Sequence, residues 1–312
     1  MFFSEHKSDQ VFYSKGREKI SWRCPGLFEH EEMLFLLDDL CKEVGIRQPY
    51  QSVFGCITTP WGGGRVPIVD EINEKELEDI ITNYNSRDIY CYFTFSNFHV
   101  EKEHLDDKNG NLLCKIASRV SDKNGIIVSS DLLSDYVREK YPNLKQISSL
   151  LKPTYEHPGY DETPEYYNDL CKKFDNVVVR ADFYDNLKFM KELKEKSKIE
   201  LIVNQNCFKF CQLARTHYDR SVKYSAEDNE ANTRNHFCHK KMNDIKNYAD
   251  SIMLSNTEID NLIKMGFTHF KLAGRAGKAR TVLTDVIGRY IFEPSGHFCH
   301  MQRYIIDKLK LV

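Results

Sequence analysis

The chain has 312 residues, of which 41% are hydrophobic and 29% charged, and its formal net charge is −2. This length fits one large α/β barrel or two ordinary domains, and the apolar content is sufficient for a sizeable core. The small net charge gives no overall attraction to nucleic acid or to an anionic membrane. No segment approaches the roughly 18 apolar residues of a membrane-spanning helix, and the first residues lack the apolar core of a signal peptide. A cytoplasmic location is therefore expected.

Short apolar runs alternate with longer amphipathic segments along the chain. Eight runs have the composition of buried strands, at 20–23, 52–57, 89–95, 126–129, 146–150, 177–180, 199–203 and 269–273. Amphipathic helices are predicted between them, at 31–44, 74–84, 131–140, 164–174, 185–196 and 257–265. Ser255 and Asn256 can cap the last of these helices, and Gly266 can end it.

Strands separated by helices imply crossover connections and a parallel sheet. Eight such strands predict a (β/α)8 barrel, formed by residues 1–312 as a single domain. An open, doubly wound sheet is the alternative, and a Rossmann domain is disfavoured because no strand is followed by G-x-G-x-x-G. The irregular region 219–248, after the seventh strand, is predicted to be an insertion, since long loops in compact domains are usually functional or disordered.

Three of the ten cysteines are predicted to pack as small apolar residues. Cys41, Cys114 and Cys171 lie within helical patterns, where a buried thiol behaves as a small hydrophobic group. Disulfides rarely persist in a reducing compartment, so the number of cysteines does not by itself indicate cross-links.

A cysteine pair follows the seventh predicted strand, and a third cysteine lies in the insertion. Cys207 and Cys211 are separated by three residues, and Cys238 comes 27 positions later. In a barrel, the C-terminal end of a strand is where enzymes of this fold carry their active sites. Thiolates bind zinc and iron–sulfur clusters, although three thiols are a weak signal and unpaired loop cysteines are the alternative.

A glycine-rich segment follows the second predicted strand. Gly63 and Gly64 belong to a run of three glycines that lets backbone N–H groups approach an anion closely, and Arg65 can bind a carboxylate or phosphate through two hydrogen bonds. The alternative is a flexible loop with a solvated arginine.

Four further polar residues lie at predicted strand ends or shortly after them. Lys271 is expected to point into the barrel or along its rim, and Arg275 follows a glycine turn. Both are therefore candidate anion-binding groups. Alternatively, Lys271 pairs with a buried carboxylate. Asn97 either binds ligand or caps a helix. His217 is a candidate acid–base group near neutral pH, or a surface histidine. No G-x-S-x-G, P-loop or H-E-x-x-H motif is present.

Four segments together resemble a known family. Residues 54–65, 92–97, 203–218 and 270–275 are similar to the collagenase-like U-type peptidase superfamily, which includes the oxygen-independent hydroxylases of ubiquinone synthesis and related RNA-base hydroxylation proteins. A looser likeness extends from residue 17 to residue 292. The resemblance implies a (β/α)8-type barrel and, in the hydroxylase-like branch, a cysteine-bound four-iron four-sulfur cluster at its rim.

The resemblance also implies a set of cluster ligands. Cys207, Cys211 and Cys238 match ligand positions of the family, whereas position 242, a cysteine in many relatives, is methionine here.

The fourth ligand has several candidates. Cys56 is preferred, because another branch takes a ligand from the loop after the second strand and Cys56 would share a rim with the cysteine pair. Cys299 and His239 are alternatives, as are a cluster held by three cysteines and the loss of the cluster.

The function expected from this resemblance is oxygen-independent hydroxylation, or a related modification, of an anionic small or tailored substrate by an iron–sulfur barrel enzyme. A peptidase-like hydrolase is one alternative. Another is a non-catalytic barrel that binds zinc or a partner, because some relatives work as pairs of barrels. The residues assigned to the site are Lys271, Arg275 and His217 for catalysis and Arg65, Asn97, Gly63 and Gly64 for substrate binding.

Overall fold

The computed structural model describes residues 12–62, 72–205, 207–223, 251–274, 277–293 and 296–312. Its eight strands form a closed barrel in which each strand pairs in parallel with the next and the last pairs with the first. The predicted (β/α)8 barrel is therefore confirmed, and ring closure excludes the open sheet. The strands are β1 (Ser21–Pro25), β2 (Ser52–Gly55), β3 (Tyr90–Phe95), β4 (Gly125–Val128), β5 (Lys145–Ser148), β6 (Asn176–Val179), β7 (Ile199–Ile202) and β8 (His269–Lys271).

Helices follow the strands around the outside of the ring. The first eight are α1 (Glu31–Val44), α2 (Glu74–Asn85), α3 (Lys108–Val120), α4 (Asp131–Lys140), α5 (Leu151–Glu156), α6 (Pro164–Lys173), α7 (Leu187–Glu192) and α8 (Ala214–Lys223). The later ones are Asn256–Lys264, the continuous stretch of Ala279–Thr281, Val282–Gly288 and Arg289–Ile291, and Phe298–Leu309. Among the described helices, none is both long and apolar enough to cross a membrane.

The last predicted helix before β8 begins and ends as its sequence indicates. Ser255 Oγ accepts a hydrogen bond from Glu258 N, and the Glu258 carboxylate accepts one from Ser255 N. This reciprocal pair satisfies backbone donors at the start of the helix. Gly266 has a φ of 98°, the left-handed conformation that suits glycine after a helix end. The chain therefore enters β8 from a well-defined turn.

Two predicted segments differ most from the observed ones. The helix predicted at 185–196 is limited to Leu187–Glu192, because Asn186 caps its start and Leu193 is already extended. The predicted irregular insertion 219–248 begins inside α8, which continues to Lys223; residues 224–248 lie outside the described residues.

The strands separate two apolar regions. Side chains on the outer faces pack against the helices, and Cys41, Cys114 and Cys171 are fully buried in this layer, as predicted. The inner faces form a separate small cluster inside the ring, made of Phe54, Tyr92, Ile127, Ile147, Val178 and Ile202. The lumen at this level is thus a packed core, as is usual for barrels of this size.

Candidate functional site

Three charged side chains lie inside the barrel, on the neighbouring strands β7, β8 and β1. The register aligns Arg23 with Lys271, and Lys271 with the inward-facing Ile202. Arg23 Nε donates to Glu200 Oε2 at 2.7 Å, and the side chains of this ion pair are 6% and 1% exposed. Buried charges are costly unless paired, so the lumen is specialised for charge on this side.

Aromatic rings support both cations from across the lumen. The Arg23 guanidinium lies 3.9 Å from the centre of the Tyr92 ring, and Lys271 Nζ lies 4.2 Å from the centre of the Phe54 ring. Such contacts are favourable for desolvated cations, because the ring faces are electron-rich. The rings also belong to the inner apolar cluster, so the charged group is packed within that core.

The protonation states follow from these neighbours. Burial alone would raise the pKa of the Glu200 carboxyl, but Arg23 and Lys271 outweigh burial and hold that pKa below its usual value. His269 is the inward-facing residue that precedes Lys271 on β8. Burial lowers the pKa of its imidazole, although the Glu200 carboxylate partly opposes this. At neutral pH the set therefore contains an ionised carboxylate and a neutral imidazole.

The opposite wall of the lumen carries hydroxyl groups. Thr94 on β3 is aligned with the inward-facing Ile127, and Ser129 continues the same face just after β4. Both are buried, as are Ser96 and Ser149 at the ends of β3 and β5. The lumen thus carries charges on the wall formed by β7, β8 and β1, and hydroxyls toward the C-terminal ends of β3, β4 and β5.

The cysteine turn after β7, residues 207–211, is held by side chains of neighbouring loops. Asp182 Oδ1 accepts a hydrogen bond from Phe210 N at 2.6 Å, and Tyr160 donates through its hydroxyl to the Cys211 carbonyl at 2.7 Å. Phe210 has a φ of 52°, which is uncommon for a residue with a side chain. Two anchored backbone groups hold this turn, on which Cys207 and Cys211 are both half-buried.

A buried arginine at the end of β6 organises those anchoring loops. Arg180 is 2% exposed, donates to the His157 carbonyl at 3.0 Å and lies 3.3 Å from a Glu162 carboxylate oxygen. Its guanidinium stacks 3.6 Å from the centre of the Tyr160 ring. Arg180 therefore links the loop before α6 to the cysteine turn through Tyr160.

Helix α8 extends from the cysteine turn over the C-terminal end of the barrel. Its Asp219 accepts a hydrogen bond from the Tyr155 hydroxyl at 2.7 Å and lies 3.0 Å from His99 Nε2. Tyr155 belongs to α5, whereas His99 follows β3, four strands from β7 around the ring. Phe98 stacks on Tyr155 with ring centres 4.6 Å apart. The helix thus covers the mouth on the side of β4, β5 and β6.

Asn97, a predicted substrate-binding residue, is engaged by the protein itself. Its amide donates to the Pro60 carbonyl at 2.8 Å and its oxygen accepts from His99 N at 2.9 Å. Asn97 N also bonds to the Trp61 carbonyl. These contacts join the loops after β2 and β3, which favours a positioning role for this side chain.

The other predicted residues are distributed as follows. Lys271 lies in the lumen, as expected from its strand, and His217 is half-buried on α8. Cys299 is exposed at the start of the last helix. Outside the described residues lie Gly63, Gly64, Arg65, Cys238, His239 and Arg275.

Cys56, the preferred fourth cluster ligand, is buried at the end of β2. It packs in the layer between barrel and helices, near Gly62 and close to Cys114 on α3. Burial raises the pKa of the Cys114 thiol, and the neighbouring Cys56 adds to that rise. Among the described residues, no three His, Cys, Asp or Glu side chains are grouped so as to hold a metal ion. Cys56, Cys207 and Cys211 therefore do not form such a group by themselves, and an iron–sulfur cluster would need further ligands from outside the described residues.

Sequence reasoning missed Arg23 and Glu200. Both stand within apolar strand runs, as Lys271 does, and the same signal that identified the lysine applies to them. It also missed Asn204, whose amide donates to the Ala273 carbonyl at 2.8 Å and whose oxygen accepts from Ala273 N at 2.6 Å. This pair of hydrogen bonds ties the end of β7 to the end of β8, and so fixes the cysteine turn relative to Lys271.

Comparisons with known proteins support the fold. No protein-family model matches the chain, and no curated protein matches it. Among solved structures, that of the U32 peptidase Mk0906 is similar, with a TM-score of 0.51 and 15% sequence identity, over 88% of this chain and 98% of that one. At this identity the likeness concerns the fold alone. The chain thus shares the architecture of a U32 peptidase along most of its length.

Proposed function

We propose that the C-terminal mouth of the barrel is the active site of an iron–sulfur enzyme that modifies an anionic small or tailored substrate by oxygen-independent chemistry, with hydroxylation as the leading reaction. The observation that carries this proposal is the buried set of Arg23, Glu200 and Lys271. Charged groups inside a barrel cost stability, and perturbed ionisable groups concentrate at functional sites. Within this set, Lys271 is the last residue of β8 and therefore lies toward the C-terminal end of the barrel, where barrel enzymes perform their chemistry.

In this proposal the lumen orients the substrate. Lys271 attracts the anionic group, and the ionised Glu200 keeps the local charge balanced. His217 on α8 serves as the acid–base group. Arg65, Arg275, Gly63 and Gly64 complete the anion site from segments outside the described residues.

The cysteine turn provides the proposed redox centre. Cys207, Cys211 and Cys238 would hold the cluster, with Cys56, Cys299 or His239 as the fourth ligand. A four-iron four-sulfur cluster held there would accept or relay the electrons that leave the substrate on hydroxylation. Support comes from the turn itself, which is fixed by Asp182 and Tyr160 and tied through β7 to the strand that carries Lys271.

Anaerobic reconstitution tests the proposal. The full chain, incubated with iron and sulfide, should gain visible absorption and about four iron ions per chain. Cys207→Ser and Cys211→Ser should each lower the iron content, whereas Cys24→Ala, which removes a thiol buried on the outer face of β1, should not. A colourless, iron-free wild-type protein after reconstitution would refute the proposal.

The same preparation ranks the candidates for the fourth ligand. The iron content of Cys56→Ser, Cys299→Ser and His239→Ala should differ, because only replacement of the true ligand removes a bond to the cluster. Loss of iron in one variant alone identifies it, and full retention in all three indicates a cluster on three cysteines.

Peptidase activity is the second candidate, favoured by the fold shared with a U32 peptidase. Hydrolysis of casein or gelatin that survives removal of iron would support it. A non-catalytic barrel, alone or paired with another barrel protein, is distinguished by zinc in place of iron in elemental analysis.

A further inference from the structure

A histidine–aspartate pair lies at the C-terminal mouth of the barrel, between the loop after β3 and helix α8. His99 Nε2 lies 3.0 Å from Asp219 Oδ1, and the same oxygen accepts a hydrogen bond from the Tyr155 hydroxyl at 2.7 Å. The loops that follow the strands of such a barrel carry its catalytic groups. An imidazole whose orientation is set by a carboxylate is a common acid–base device in enzymes.

The imidazole of His99 is held in one orientation. His99 N donates a hydrogen bond to Asn97 Oδ1 at 2.9 Å, which fixes the backbone from which the ring projects. The ring meets the Tyr155 ring edge to face, with ring centres 5.1 Å apart and planes at 86°. The side chain nevertheless remains 50% exposed. An imidazole that is both fixed and open to solvent is suited to exchange protons with a bound molecule.

The carboxylate determines which ring nitrogen carries the hydrogen. Burial alone would raise the pKa of Asp219, but the Tyr155 hydroxyl, His99 and Arg215 outweigh burial and lower that pKa, so the carboxylate is ionised and can only accept. Burial and the neighbouring Asp219 raise the pKa of Tyr155, which keeps its hydroxyl a donor. The hydrogen between His99 and Asp219 therefore lies on Nε2, and the neutral ring carries its lone pair on Nδ1. Within the part of the chain that the structure describes, Nδ1 has no hydrogen-bond partner.

We propose that His99 is an acid–base residue of the mouth and that Asp219 and Tyr155 position it. Nδ1 takes a proton from a water molecule or from a hydroxyl group of the substrate, Asp219 stabilises the imidazolium that forms, and the proton then passes to the departing group or to solvent. This inference rests on the proposed function for the entry of the substrate at this end of the barrel, and it does not involve the cluster.

His99 and His217 act on different sides of α8. Asp219 directs its side of the helix toward His99 and Tyr155. Because successive residues of an α-helix are about 100° apart, His217 projects roughly 200° away from Asp219 around the helix axis. Proton transfer on the β3 side of the mouth therefore belongs to His99.

Hydrolysis of p-nitrophenyl acetate by the full chain tests this role, because the reaction needs only a base beside the attacking water. The water oxygen bonds to the acyl carbon, one proton passes to Nδ1 and then to the departing p-nitrophenolate oxygen, and acetic acid and p-nitrophenol are released. His99→Gln should lower the rate about tenfold or more. Asp219→Asn and Tyr155→Phe should each lower it about threefold or more, because the imidazole loses its orientation. Imidazole in solution should restore part of the activity of His99→Gly, which also shows that this variant is folded.

A second histidine–aspartate pair provides the control. His157 Nδ1 lies 3.3 Å from Asp161 Oδ1, and His157→Gln should hydrolyse the ester at the wild-type rate. Nitrogen-15 NMR of histidine-labelled protein gives a readout that a purely structural role of Asp219 would not move. His99 should carry its hydrogen on Nε2 in the wild type, and Asp219→Asn, whose amide can donate to the ring, should increase the form with the hydrogen on Nδ1.

The outcomes separate this inference from the proposed function. Equal rates for the wild type and His99→Gln, equal losses in His99→Gln and His157→Gln, no hydrolysis above the rate in buffer, or a hydrogen on Nδ1 in the wild type would overturn it, and Asp219 would then only hold α8 in place. Hydrolysis that depends on His99 in a protein that fails to acquire iron would support the pair and refute only the iron–sulfur proposal.

Discussion

The buried Arg23–Glu200 pair gives the sharpest prediction for stability. Arg23→Met removes the guanidinium and leaves the Glu200 carboxylate in a site where its side chain is 1% exposed. At 2.7 Å and this depth the pair is little affected by salt. Removing one partner of such a pair costs about 3–5 kcal/mol, because the remaining charge is uncompensated. With an unfolding entropy of about 2 cal/mol/K per residue, this corresponds to a fall of about 5–8 °C in Tm.

The loss should depend on pH in a definite direction. In the wild type the pKa of Glu200 is lowered, so its contribution to stability is present above its unfolded pKa and is lost as pH falls through the folded one. Without Arg23, burial becomes the dominant influence and raises that pKa. Protonation of Glu200 then removes the uncompensated charge in the variant. The difference in the free energy of unfolding between wild type and variant should therefore shrink from pH 7 to pH 5.

Urea denaturation of both proteins at the two pH values measures this. Arg303→Met is the control, because Arg303 and Asp307 form an ion pair of the same 2.7 Å length with side chains 78% and 60% exposed, and it should cost no more than about 0.5 kcal/mol. The double variant Arg23→Met, Glu200→Leu should recover part of the loss, since an apolar pair avoids the buried charge. A cost below about 1 kcal/mol for Arg23→Met, equal at both pH values, would contradict the reasoning.

Three further predictions follow from local packing. Gly110→Ala should destabilise the protein by about 1–3 kcal/mol and shift Trp61 fluorescence, because a Cβ there would lie 2.3 Å from the indole and the overlap outweighs the better helix propensity of alanine; unchanged stability and emission would count against it. Asp219→Asn should speed amide exchange in α8 while the strands keep their protection. In the wild type the pKa of Asp219 is lowered, so its contribution to the stability of α8 should be lost only on acidification. Hydrogen exchange followed by mass spectrometry checks both expectations. Burial raises the pKa of Cys171 to about 11, so at pH 8 the native protein should be labelled by a thiol reagent at the exposed Cys299 well before Cys171, as peptide mapping would show.

Most of the fold could be predicted from the sequence because strands buried on both faces are nearly continuous apolar runs. All eight observed strands overlap the predicted ones, and Ser255 and Gly266 marked the limits of their helix. Helix α3 was not predicted, although Cys114 within it was correctly interpreted as a packing residue.

The site was less accessible to prediction because its contacts join distant parts of the chain. Glu200 meets Arg23 across 177 positions, and Asp219 meets His99 across 120. Neither pair has a local pattern, and only the closed ring brings the partners together. The orientation of Cys56 was equally difficult to predict. This residue lies just past the end of β2, where a shift of one residue in the alternation decides whether a side chain faces the lumen or the outer layer.

The placement of α8 has a consequence for the rate of ligand exchange. Two hydrogen bonds to Asp219 hold this helix over half of the entrance, and together they are worth about 2–3 kcal/mol. If ligands pass only when the helix lifts, the competent conformation amounts to roughly 0.6–3% of molecules, and association slows by the same factor. Stopped-flow mixing of wild-type and Asp219→Asn protein with a small carboxylate such as lactate would reveal this gate as faster uptake by the variant, and equal uptake rates would show that the helix is a fixed cover.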